Sequence, residues 1–159
     1  MNYKIINSIL VILCVFIITG CSTNKKLNID SNGNLRKDSV IMDKQNEVID
    51  EVKVLIDNHE YTINLEDNET AKTFVNMLPL EYNMNELNGN EKYVYLNSSL
   101  PVDAINVGYI YAGDVMLYGD NCLVIFYKSF KTSYSYTKIG HIDSLDDLGN
   151  GSINIKIVK

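Results

Sequence analysis

Two histidines, three cysteines and eleven tyrosines carry most of the reactive side-chain chemistry in this 159-residue chain, and their spacing limits what they could do. His59 and His141 stand more than eighty residues apart, and neither lies in a metal-ligand spacing such as His-x-x-x-His, so no metal site is expected. Asp143 follows His141 by two residues, which places both on one strand face, where the pair could move a proton. An exposed strand histidine is the simpler reading. Asp143, Asp146 and Asp147 lack the remaining ligands and the glycine of a calcium loop and read as helix caps. The tyrosines are more suggestive. Tyr93 and Tyr95, Tyr109 and Tyr111, and Tyr134 and Tyr136 are each two apart, so each pair forms an aromatic ledge edged with hydroxyls. Together with His141 these six are the candidate binding surface, suited to peptides or sugars, although such ledges also suit the outer surface of any barrel.

Cys21 has a different environment. Lys4 supplies a short positive segment, residues 5–18 form an apolar run interrupted only by Asn7 and Ser8, and Ile18-Thr19-Gly20-Cys21 closes it. The run falls short of the roughly 20 residues of a comfortable bilayer span. Small residues at 19 and 20 let a peptidase grip extended backbone, and the Cys21 thiol is the nucleophile that could take a diacylglyceryl group. The pattern resembles the lipobox of bacterial lipoproteins. It implies a signal peptide over residues 1–20, lipid on Cys21, and a protein held at the extracytoplasmic face of the cell membrane. A plain signal peptide or an uncleaved anchor is the alternative. Cys14 would leave with the signal peptide, so Cys122 is left alone, and no disulfide framework is expected. It lies in the apolar run Cys122-Leu123-Val124-Ile125-Phe126-Tyr127 with no cationic neighbour, and reads as a core residue.

Charge narrows the partners. From Lys53 onward eight lysines face fourteen carboxylates, a net charge of −6, which excludes nucleic acid as an expected partner and argues against electrostatic docking on anionic lipid. Acyl chains would be the membrane contact. No serine triad, phosphate-cradling glycine loop or nucleotide motif occurs, so no cofactor is expected.

The elements that must position these residues fall in the second two thirds of the chain. Residues 21–50 are polar, of mixed charge and without an apolar face, and read as a lipidated flexible tether to a domain over 51–159. Alternation predicts a hairpin from Val52-Lys53-Val54-Leu55-Ile56 through Asn58-His59 into residues 60–65. Asp67 or Asn68 caps a helix whose stripe is Ala71, Phe74, Val75 and Leu78, and Pro79 ends it. Strands follow at 81–84 and 93–96 around a polar loop at 85–90. Further strands are expected at 115–118, 122–127, 134–136, 138–142 and around Ile153, Ile155 and Ile157. Ser144 would cap a single helical turn through Leu148, stopped by Gly149-Asn150-Gly151. About eight strands, one good helix and one short helix make a mainly β fold.

With these elements placed, the chain resembles a family of small bacterial proteins with a cyclophilin-like fold. The matching stretches are Leu65 to Met84 (LEDNETAKTFVNMLPLEYNM), Gly113 to Tyr127 (GDVMLYGDNCLVIFY) and Tyr136 to Ile142 (YTKIGHI). The resemblance implies a closed eight-stranded β-barrel with one main capping helix and one short helix, and closure would remove exposed strand edges. Cyclophilins that isomerise proline bonds rely on an arginine in a groove on the barrel. The single arginine here is Arg36, in the tether, so that residue has no counterpart in the domain. The expected function is a membrane-anchored, non-catalytic module binding a peptide, protein or small molecule. The alternative is a divergent peptidyl-prolyl isomerase that assists exported proteins.

Overall fold

The structure, a computed structural model, describes residues 49–159. The expected signal peptide, the expected acylation site Cys21, Arg36 and nearly all of the expected tether lie outside the described residues. Eleven strands and one helix are present among the described residues: β1 (Glu51–Ile56), β2 (His59–Leu65), α1 (Glu69–Asn76), β3 (Leu80–Leu87), β4 (Glu91–Tyr95), β5 (Ile105–Asn106), β6 (Tyr109–Ile110), β7 (Asp114–Tyr118), β8 (Cys122–Phe126), β9 (Phe130–Lys131), β10 (Ser135–Ile142) and β11 (Ile153–Val158). Eight of the strands run antiparallel in the order β2, β1, β11, β3, β4, β8, β7, β10, and β10 pairs back onto β2, which closes the barrel. Short β5 adds to the beginning of β10, and β6 with β9 makes a separate ribbon.

Alternation produces two cores. Val52, Val54 and Ile56 of β1, Leu123 and Ile125 of β8, and Ile153, Ile155 and Ile157 of β11 all point into the barrel. The intervening residues of β7 and β8 point outward, where Met116, Cys122, Val124 and Phe126 form a second cluster with Ile110 and Tyr136. The long apolar run of β8 is therefore buried on both faces.

Helix α1 begins as the sequence predicts. The Asn68 side chain accepts from the Ala71 amide at 2.8 Å and donates to the Lys138 carbonyl at 2.9 Å, so one residue both caps the helix and ties it to β10. Ala71, Phe74 and Val75 are buried, and Leu78, just past the helix, packs against the same core.

The expected short helix over 144–148 does not form; this stretch is an irregular loop. Lys92 supplies the reason. It shares its strand face with Val94, points inward, and is wholly buried, and its ammonium donates to the carbonyls of Gly149 at 2.6 Å and Gly151 at 2.7 Å. A buried charge requires such acceptors, and positive φ angles of 59° and 97° at the two glycines help present them. The three aspartates then pin the loop instead of capping a helix. Asp143 accepts from Asn64, Asp146 from the Tyr61 hydroxyl, and Asp147 from the Gly149 amide.

Candidate functional site

Strand register assembles the tyrosines. On the outer face of the barrel Tyr95 of β4 lies opposite Cys122 of β8, which lies opposite Tyr118 of β7. One row further on, Tyr93 lies opposite Val124. Tyr136, at the beginning of β10, carries the surface past β7, with its ring 5.6 Å from that of Tyr118. These residues line an open cleft of about 300 Å³, completed by Tyr134, Leu87, Asn88 and Glu91. That volume is at the small end for a ligand site.

The rings stand at steep angles to one another. Tyr93 and Tyr95 meet edge to face, with planes 82° apart and centroids 6.0 Å apart, and Tyr118 and Tyr134 do the same at 88° and 6.2 Å. Tyr95 and Tyr134 are more than 60% exposed and Tyr118 is 46% exposed, whereas Tyr136 is 6% exposed and lies low among them. Tyr136 also packs edge to face on Phe126 at 5.5 Å, which fixes it to the outer cluster. Burial, with Glu91 nearby, pushes its hydroxyl up to about 12, so it remains a donor at any physiological pH. The Cys122 thiol is also pushed up by burial and by Glu91, which removes the thiolate and its reactivity.

Glu91 is the charged residue of the cleft. Burial and the neighbouring Glu86 raise its pKa. Among the described residues no cation lies within ion-pair distance of it. Lys92, next in sequence, faces the other way into the barrel.

The cleft thus gathers Tyr93, Tyr95, Tyr134 and Tyr136 from the sequence-derived surface and leaves out the other three. Tyr109 and Tyr111 pack on each other outside the cleft lining, their rings tilted by 56° with centroids 4.9 Å apart. His141 is engaged elsewhere. Its Nδ1 lies 3.0 Å from Asp114 Oδ1, directly across the β10–β7 pair, while Asp143 is 3.8 Å from Nε2. The hydrogen-bonded carboxylate is therefore Asp114 and not Asp143. Asp114 is itself buried, and its other oxygen accepts from the Tyr111 amide. Gly113 is required beside this pair: a Cβ there would fall 2.2 Å from the Ile142 carbonyl oxygen and 2.9 Å from His141 Cε1. Sequence reasoning missed Tyr118, Glu91 and Asp114. Strand parity signals two of them, since Glu91 shares a strand face with Tyr93 and Tyr95, and Tyr118 mirrors Cys122 across a three-residue turn, whereas Asp114 meets His141 only through the β10–β7 register.

The model of the cyclophilin-like family matches residues 54–158, which span the barrel from β1 to the last residue of β11. The chain belongs to the cyclophilin-like family. No curated protein and no solved structure matches it.

Proposed function

We propose that this protein is a lipid-anchored, extracytoplasmic binding module whose tyrosine cleft takes its ligand without catalysis. The observation that carries the reading is the make-up of the cleft: five tyrosines drawn from β4, β7 and the chain at and just before the start of β10, a buried thiol, one carboxylate, and no lysine or arginine among the lining residues. Aromatic walls with hydroxyl edges supply contact area and hydrogen bonds at little cost in side-chain entropy, which suits binding. Isomerisation asks for more. Twisting an X-Pro bond breaks amide resonance, and catalysis needs donors that hold the twisted state better than the planar one. A guanidinium presents such donors in a fixed fork, and no arginine occurs after Arg36.

Anchoring rests on the sequence around Cys21. Two or more acyl chains make attachment stable, where one gives only marginal binding. Metabolic labelling of producing cells with a clickable fatty acid is expected to mark the wild-type protein and to miss Cys21→Ser. Equal labelling of the two would remove the anchor from the account.

A further inference from the structure

We propose that the tyrosine cleft binds a small alkylated ammonium ion, with Glu91 as its counter-charge. The inference rests on the reading of this cleft as the binding site and names the chemistry of what enters it.

Three observations combine. The first is charge: Glu91 lies in the cleft lining with no cationic partner among the described residues, and the lining supplies no lysine or arginine. A carboxylate partly removed from water beside a second carboxylate, Glu86, is a costly arrangement that an arriving cation would relieve. The second is shape. Tyr93 with Tyr95, and Tyr118 with Tyr134, are edge-to-face pairs at 82° and 88°, so each pair forms a corner of two aromatic planes. Faces of aromatic rings carry negative potential, and such corners are how proteins surround a cation that offers no hydrogen bond. The third is size, since a cleft of about 300 Å³ accommodates a small solute and not a folded partner.

The same chemistry selects the substituents on nitrogen. A primary ammonium brings three donors and a tightly held hydration shell, and against these the cleft offers one carboxylate, the Asn88 amide and tyrosine hydroxyls, set among aromatic faces that accept no strong hydrogen bond. A quaternary ammonium brings no donors, is weakly hydrated, and presents methyl groups to the rings. It has no N–H donor to be left unpaired on entering.

The test uses the full-length chain in maltoside micelles, whose head groups carry no charge, and choline as the probe. The neutral isostere 3,3-dimethylbutan-1-ol has the same shape without the charge. Choline is expected to shift the ring resonances of the cleft tyrosines and to bind at least about tenfold more tightly than the alcohol. Glu91→Gln, which keeps size and polarity, is expected to lose about tenfold in choline affinity, and Tyr95→Ala, at an exposed position, several-fold. Equal affinity for choline and the alcohol at the cleft would overturn the cation proposal while leaving the cleft a binding site. Shifts confined to residues outside the cleft, such as those around His141, would overturn both. An unchanged choline affinity in Glu91→Gln and in Tyr95→Ala would equally overturn the assignment.

Discussion

Phe74→Ala is expected to lower the stability of the domain by about 3–5 kcal/mol, the usual range for a buried aromatic truncated to alanine. Phe74 is fully buried and is the large side chain that α1 inserts into the interior of the barrel. Smaller contacts complete the attachment: Ala71 and Val75 are buried beside it, Thr70 donates to the Pro101 carbonyl at 2.7 Å and Asn68 to that of Lys138. Barrel strands are held by paired backbone and cannot collapse into the void, so most of the cavity should persist. Urea unfolding measures the loss. A change below about 1 kcal/mol would show that the helix is not docked through this ring.

Gly140→Ala is expected to cost about 3 kcal/mol, for a different reason. Gly140 lies where β10 pairs with β7 and β2 at once, opposite Val115 on one side and Leu65 on the other, immediately after the irregularity at Ile139. A Cβ there would fall 2.4 Å from the Asn64 carbonyl oxygen and 2.8 Å from Ile63 Cγ2. Backbone cannot swing aside as a side chain can, so the substitution must push β2 from β10 at the seam that closes the barrel. The lost ladder bonds add to the overpacking cost. Thermal unfolding should move down by well over 10 °C for a domain of this size. A melting temperature within a few degrees of wild type would mean that the seam is looser than its register implies.

Much of this architecture was legible in residue order because alternation and helical periodicity are local. The parity of Val52, Val54 and Ile56 and of Ile153, Ile155 and Ile157 fixed which faces meet the core, and Asn68 with the Ala71, Phe74 and Val75 stripe located the helix. What was not legible depends on partners distant in sequence. The short helix over 144–148 was expected from a serine, three aspartates and a glycine stop. Nothing nearby announced that Gly149 and Gly151 must turn their carbonyls toward Lys92, more than fifty residues earlier. Likewise the tyrosine pairs were visible, but only cross-strand register could join Tyr93 and Tyr95 to Tyr118, Tyr134 and Tyr136 and leave Tyr109 and Tyr111 aside. His141 had a plausible carboxylate two residues away, and the fold gave it Asp114, on a neighbouring strand, instead.

The central claim is that the domain binds without catalysing, and the most direct test is proline isomerisation by the purified chain. On a proline tetrapeptide, under conditions where an authentic cyclophilin is active, little or no acceleration is expected. Lys128, Lys131 and Lys138 are the cations that could stand in for a guanidinium. None of them lines the cleft, and a flexible ammonium is a poorer fork. Losing one well-placed electrostatic contact commonly costs about 10²–10³ in rate. A rate indistinguishable from the uncatalysed reaction is the result this account predicts. Robust catalysis abolished by a single substitution at one of those lysines would contradict it and make the protein an isomerase.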